Sequence, residues 1–315
     1  LTLFPLPGEN ETEAAPEGPL LRVVLHVAYD GSGFHGFARQ PRQRTVGGEL
    51  VAALEKMAQV GSASGSASGP GSGSGSGPGS ASGVELVCAG RTDTGVHASG
   101  QVVHVDLPSA LVLSSHRGVE PGDLSWLARS LSRQLGPEIA VIRCCLASEG
   151  FDARHSGVAR RYRYSVLAAP APPDPLLART TWYVESELDL SSLRLATDAI
   201  LGEHDFAGFC RQPAGKPAGS PITRRVLDIR WSRPSWHPGL LFFEIEANAF
   251  CHQMVRSLVG SLVSVGAGRS GGASIGGRLR SGSRSGAPTL APPQGLCLLG
   301  VRYPPPYSQF STLPG

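Results

Sequence analysis

No apolar run in this chain approaches the roughly 18 residues needed to cross a bilayer, so no membrane span is expected. Its six cysteines include one adjacent pair, Cys144 and Cys145, and no C-x-x-C spacing. That gives neither a disulfide framework nor a zinc signature, and it fits a reduced intracellular compartment. Lysine is nearly missing: 26 of the 28 basic residues are arginine. GC-rich coding produces such a bias without any function. Selection for guanidinium forks that match phosphate oxygens produces it too. The first twenty residues hold no basic side chain and carry Glu9, Glu11, Glu13 and Glu17, unlike a transit peptide, which is arginine-rich and acid-poor. The chain opens on Leu1 rather than Met, which leaves its true start open. The composition reads as soluble and intracellular, without distinguishing cytoplasm, nucleus and organelle.

What is present is a chain of 315 residues, 41% apolar, long enough for one large or two modest domains with a real core. The net charge is +3, but outside residues 1–20 there are 28 basic against 21 acidic residues, a balance of +7. The arginines fall in three clusters: Arg39, Arg42 and Arg44; Arg154, Arg160, Arg161 and Arg163; and Arg224, Arg225, Arg230 and Arg233. Local clusters in a modestly charged chain predict an anionic partner touched in several places.

Residues 61–83 contain only Gly, Ser, Ala and Pro, a flexible coil best read as an insertion in a loop. Residues 268–286 mix Gly and Ser with Arg278, Arg280 and Arg284, and read as a solvated loop or a basic arm. The remaining segments show a pattern. A strand at Leu21–Tyr29 precedes a helix at Thr45–Met57, with Thr45 as N-cap and Val46, Leu50, Leu54 and Met57 on one face. Strands at Val84–Ala89 and Gln101–Leu107, a helix at Asp123–Leu135 and a strand at Ile139–Leu146 complete a β-α-β-β-α-β unit. The second half gives the same order: a strand at Arg161–Ala168, a helix at Leu190–Leu201, strands at Thr223–Trp231 and Leu240–Ala247, a helix at Ala249–Val265 and a strand at Leu296–Tyr303. The expected fold is α+β: two ferredoxin-like halves, 21–150 and 151–304, joined into one extended antiparallel sheet with a central cleft. An acidic segment (1–20) lies before them and a tail (305–315) after.

The most informative stretch is Gly90-Arg91-Thr92-Asp93-Thr94-Gly95-Val96-His97-Ala98-Ser99-Gly100-Gln101. It lies between two strands, with one carboxylate among small residues and an arginine two positions before it. As bare chemistry it is weak, because most loop aspartates only shape a turn. Two other patterns compete for attention. Gly31-Ser32-Gly33-Phe34-His35-Gly36 matches G-x-G-x-x-G after a strand, yet Pro41 interrupts the place where a dinucleotide-binding helix should start. A glycine-rich turn leading into the basic loop Arg39–Arg44 is the preferred reading. Asp93, His97, His104 and Asp106 suggest a metal, but the donor types are mixed and no metal is assigned; outward-facing polar residues on a half-buried strand account for them. In the helix expected over 249–265, His252, Arg256 and Gly260 form a narrow stripe. If that stripe faces water, Arg256 is ordinary. If it faces the cleft, the guanidinium requires a carboxylate.

The twelve-residue string closely resembles the active-site motif of the TruA-type tRNA pseudouridine synthases, with Asp93 at the position of that family's catalytic aspartate. Four further segments resemble the family in order: Tyr29–Phe37 with Arg39 and Gln40; Phe151–Arg154 with Arg160–Tyr164; Gly202–Phe206 with Phe209; and Ala247–Arg256 followed by Ala291–Leu296. The departures are Phe37 for a tryptophan, Asp152 for a histidine, Ser132 for an asparagine, and the poor 268–286 segment where the family has a helix.

The resemblance implies an isomerase that converts uridine to pseudouridine in the anticodon stem-loop of tRNA, without a cofactor and as a homodimer. Asp93 would be nucleophile or base, Arg256 its charge partner, Tyr162 the ring stacked on uracil and Leu296 a wall of the pocket. Arg39, Arg42, Arg44 and Arg91 would grip phosphates beside the extruded nucleotide. The alternative from another class is a catalytically silent RNA-binding relative within an RNA–protein assembly, which would not need Asp93. A nucleotide-dependent oxidoreductase rests on the glycine string alone.

Overall fold

The computed structural model describes residues 19–63, 84–113, 122–170, 173–212, 215, 217, 220–283 and 290–313. The acidic segment up to 18 and residues 64–83 of the insertion lie outside the described residues. Through the first half run β1 (Leu20–Tyr29), α1 (Val46–Ala63), β2 (Leu86–Cys88), β3 (His97–Pro108), the short α2 (Ser109–Val112), α3 (Ser125–Leu135) and β4 (Ile139–Leu146). The second half holds β5 (Ala159–Ala168), β6 (Trp182–Val184), α4 (Leu190–Asp198), β7 (Gly202–Asp205), β8 (Thr223–Ser232), β9 (Leu240–Ala247), α5 (Met254–Gly266), α6 (Ala273–Ser281) and β10 (Leu296–Arg302).

The ten strands form one open, mostly antiparallel sheet in the order β4-β1-β3-β10-β5-β9-β8-β7, with β2 on β3 and β6 on β5. The mixed α/β architecture agrees with the α+β expectation. Strand alternation sorts side chains between two cores. Val23, Leu25 and Val27 of β1 join Leu50 and Leu54 of α1 and Leu127 and Leu131 of α3 in the main core. Val24 points the other way, into a smaller cluster with Phe151, Val301, Tyr303 and Phe310. Burying each large aliphatic side chain contributes about 1.5–3 kcal/mol, which holds helices and sheet together. Thr45 Oγ1 accepts from the Gly48 amide at 3.1 Å, the expected cap of α1. Ser132 Oγ donates to the Val141 carbonyl at 3.0 Å and accepts from the Val141 amide at 2.8 Å, pinning α3 to β4.

One seam matters for function. β3 and β10 pair in parallel through His97↔Cys297 and Ala98↔Leu298, so residues two hundred positions apart become neighbours. The approach is tight at Gly100, where a Cβ would lie 2.2 Å from the Leu299 carbonyl oxygen. The loop before β3 therefore sits beside the chain leading into β10.

Several expectations are corrected. Residues 273–281 of the segment read as a loop form α6, because Ile275 and Leu279, one turn apart, are buried and α6 packs on the 207–209 turn. Hydrophobic burial overrides a Gly-rich composition here. The last described residues are not all peripheral: Phe310 and Leu313 are buried. Cys210 and Cys251, 41 positions apart, are paired as a disulfide with Cα atoms 5.7 Å apart, a pairing no local spacing announces. The arginines of the second cluster are largely spoken for. Arg161 meets Glu246 at 2.6 Å and Arg163 meets Glu244 at 2.5 Å, and both glutamates are buried. Burial raises the cost of charging these glutamates, but hydrogen bonds from the arginines win and hold both carboxyls below the usual range.

Candidate active site

Asp93 lies in the loop between β2 and β3, and its geometry is set by contacts to the glycine-rich turn. The Phe37 amide donates to the Thr92 carbonyl at 3.1 Å, and the Val96 amide closes a turn onto the Asp93 carbonyl at 3.1 Å. Tyr29 OH and Thr92 Oγ1 share a buried hydrogen bond of 2.8 Å, and fully buried Gln101 donates through Nε2 to the Gly90 carbonyl at 2.6 Å. Gly36 adopts φ +86°, and a Cβ there would lie 2.7 Å from the Thr92 carbonyl oxygen. The glycine string thus makes room for the Asp93 loop, which accounts for it without a dinucleotide.

The candidate metal donors have other roles. His97 is buried, its Nδ1 accepting from the Gly31 amide at 3.1 Å while Nε2 faces the carbonyls of Arg179 and Gln294 at 3.0 and 3.1 Å. His104 was expected to face outward but is 4% exposed; it accepts from the Ala153 amide at 2.9 Å. Burial lowers its pKa. Asp106 pairs with Arg22 at 2.8 Å.

Opposite Asp93 stands the start of α5. Arg256 reaches Asp93 Oδ2 with NH1 at 3.7 Å, while its Nε donates to the Ala291 carbonyl at 2.7 Å. The Ala291 amide returns a bond to the Arg256 carbonyl at 3.3 Å, lacing α5 to the segment that enters β10. Burial depresses the Arg256 pKa, and the Asp93 charge opposes that shift. His252, expected on a helical stripe with Arg256, brings Nε2 to 3.4 Å from Asp93 Oδ1. It does not lie on the helix at all, since α5 begins at Met254 and Gln253 takes a left-handed turn with φ +65°. That conformation costs a non-glycine residue about 1–2 kcal/mol and turns the chain sharply before the helix starts.

Tyr162 and Leu296 close the same hollow. Tyr162 is 7% exposed, with its ring edge-on to Phe250 at 5.0 Å. Burial pushes its hydroxyl pKa up, so it remains a neutral phenol. Tyr164 has a different place: its hydroxyl donates to the Pro292 carbonyl at 2.7 Å and its ring lies where a Cβ on Gly295 would clash. A cavity of about 1430 Å³ is lined by Asp93, Arg256, Tyr162 and Leu296 together with Arg39, Arg91, Arg154, Arg224 and His252. Arg39 and Arg91 are exposed at it; Arg42 is exposed but outside the lining, in a turn with φ +59°. Arg44 is held by Glu138 at 2.6 Å and Glu49 at 3.2 Å, acids from outside its cluster. Arg160 was not singled out for the site, yet it donates to the carbonyls of Ala89, Arg154, Gly157 and Asn248 and so ties the edge of the Asp93 loop to the chain before α5.

Residues 196–304 match the family model described as tRNA pseudouridine synthase. Across the whole chain, tRNA pseudouridine synthase A of Frankia casuarinae is 40% identical, covering 91% of this chain and 90% of that protein. The enzyme of the same name from Mycobacterium leprae is 39% identical, with 90% of each chain covered. The chain belongs to the tRNA pseudouridine synthase A family. It is an isomerase of the class that converts uridine to pseudouridine in tRNA. The Corynebacterium glutamicum tRNA pseudouridine synthase A, 37% identical over 90% of each chain, makes the same point. No helix among the described residues is long and apolar enough to cross a membrane.

Proposed function

We propose that this chain isomerises uridine on the 3′ side of the anticodon stem-loop of tRNA, acting as a homodimer, with Asp93 as its catalytic carboxylate. The observation that carries the reading is the Asp93 carboxylate facing a cavity, with the Arg256 guanidinium 3.7 Å away on an element from the other half of the chain. The reaction is balanced within the nucleotide: the N1–C1′ bond breaks, a C5–C1′ bond forms, C5 loses a proton and N1 gains one. A carboxylate able to attack carbon or take a proton suits this chemistry. Arg256 faces one oxygen of the carboxylate, Tyr162 offers a ring for the detached uracil and Leu296 shapes the pocket in which it turns. At about 1430 Å³ the cavity exceeds the ~300–1,000 Å³ of ordinary small-molecule sites, which suits an extruded nucleotide with its neighbours. Arg39, Arg42 and Arg91 are assigned to the flanking phosphates; Arg44, paired with two glutamates, is the weakest of the four for that role.

The same reading takes the fold as two ferredoxin-like halves. The strand orders β4-β1-β3-β2 and β10-β5-β9-β8, each with helices in two of the three connections, support it. The test uses tRNA transcripts carrying tritium at C5 of uridine, either only in the anticodon arm or only elsewhere. Release of tritium from the first set alone is expected. Release only from the second would overturn the site assignment, and release from neither would overturn the activity.

A further inference from the structure

The Asp93 carboxylate has two oxygens and, among the described residues, two ion-pair partners, one on each: Arg256 at Oδ2 and His252 at Oδ1. The histidine is held there by its backbone. Cys251 before it is joined to Cys210, the Arg211 amide donates to the His252 carbonyl at 3.0 Å, and the Met254 amide caps back onto Cys251 at 3.1 Å. The left-handed Gln253 stops the helix short of this turn, so the imidazole is set on a rigid corner beside the cavity. The ring is 46% exposed, and it faces the carboxylate without being part of the core.

We infer that His252 is a positioning residue for Asp93, donating Nε2–H to Oδ1 so that the plane of the carboxylate is fixed from both sides. The inference rests on reading Asp93 as the catalytic carboxylate. Arg256 alone leaves the carboxylate free to rotate about its Cβ–Cγ bond. A second donor on the other oxygen removes that freedom, and a misaimed reactive group loses much of the benefit of proximity.

The test compares His252→Phe and His252→Gln with the wild type and Asp93→Asn in the full chain, measuring kcat, KM for tRNA transcript, tRNA affinity and melting temperature. The phenylalanine fills the ring's space without a donor; the glutamine keeps an N–H near the position of Nε2. His252→Phe is expected to lower kcat about tenfold or more, with KM and affinity within about twofold, and His252→Gln to restore most of the rate. Three results overturn the inference: a His252→Phe enzyme within twofold of wild-type kcat; a loss confined to KM and affinity, which would make the ring an RNA contact; or equal losses in both variants with a lowered melting temperature, which would make it structural. Activity retained by Asp93→Asn would instead bring down the underlying reading. An inactive Asp93→Asn beside an unimpaired His252→Phe removes only the role of His252.

Discussion

Replacing Arg256 with Met keeps the length of the side chain and removes its charge and its donors. Two unit charges 3.7 Å apart attract by about 4 kcal/mol at an effective dielectric of 20 and by about 1 kcal/mol in bulk water. Arg256 is 13% exposed and Asp93 31%, so the pair lies between those limits. If that interaction aims the carboxylate in the transition state, its loss slows chemistry by roughly 10- to 1,000-fold, at about 1.4 kcal/mol per tenfold. The Ala291 carbonyl also loses its 2.7 Å donor, which costs about 1–3 kcal/mol of stability where the group stays buried. Arg256→Lys carries one ammonium for two partners and should fall between Met and the wild type. The assay is single-turnover release of C5 tritium at saturating enzyme, so that binding drops out. A Met variant that is folded and within threefold of the wild-type rate would refute the pairing of Arg256 with the reacting group.

Two further expectations concern binding and stability. The double variant Arg39→Gln, Arg42→Gln should weaken tRNA binding and flatten the slope of log affinity against log salt by about 1–2, as one or two phosphate contacts disappear; an unchanged slope would put the loop away from the RNA backbone. His26 is held near pKa 4 by burial first and by Arg143 second, against about 6.5 in the unfolded chain. Between those values the unfolded chain binds more protons, so the stability contributed is complete above about pH 6.5 and is lost as pH falls toward 4, by up to about 3 kcal/mol. Urea unfolding at pH 7.5 and pH 5 should show about 2 kcal/mol of that loss in the wild type and a smaller one in His26→Gln; identical losses would exonerate His26.

How much of this was legible in the residues alone depended on whether a feature was local. Helix α3 was, because Leu124, Leu127, Leu131 and Leu135 repeat at helical spacing and all are buried. The Asp93 loop was, because its string is distinctive; it leaves β2 and runs into β3, which begins at His97, four residues before the expected strand. Helix α6 was not: two buried aliphatics in a Gly/Ser/Arg background give too little periodicity, and the packing that stabilises it comes from the distant 207–209 turn. The ion pairs of the β5 arginines were not, because Glu244 and Glu246 oppose them only after β5 and β9 pair in register, Arg163↔Glu244 and Arg161↔Glu246. His252 escaped for a similar reason. A stripe through His252, Arg256 and Gly260 assumes one continuous helix, whereas the left-handed Gln253 takes His252 off the helix and beside the carboxylate.

Asp93→Asn preserves size and removes the negative charge beside Arg256 and His252. With tRNA transcript under single-turnover conditions, the variant should form no measurable pseudouridine while binding the transcript within a few-fold of the wild type. Pseudouridine formed by the folded variant at a rate near that of the wild type would contradict the account at its centre.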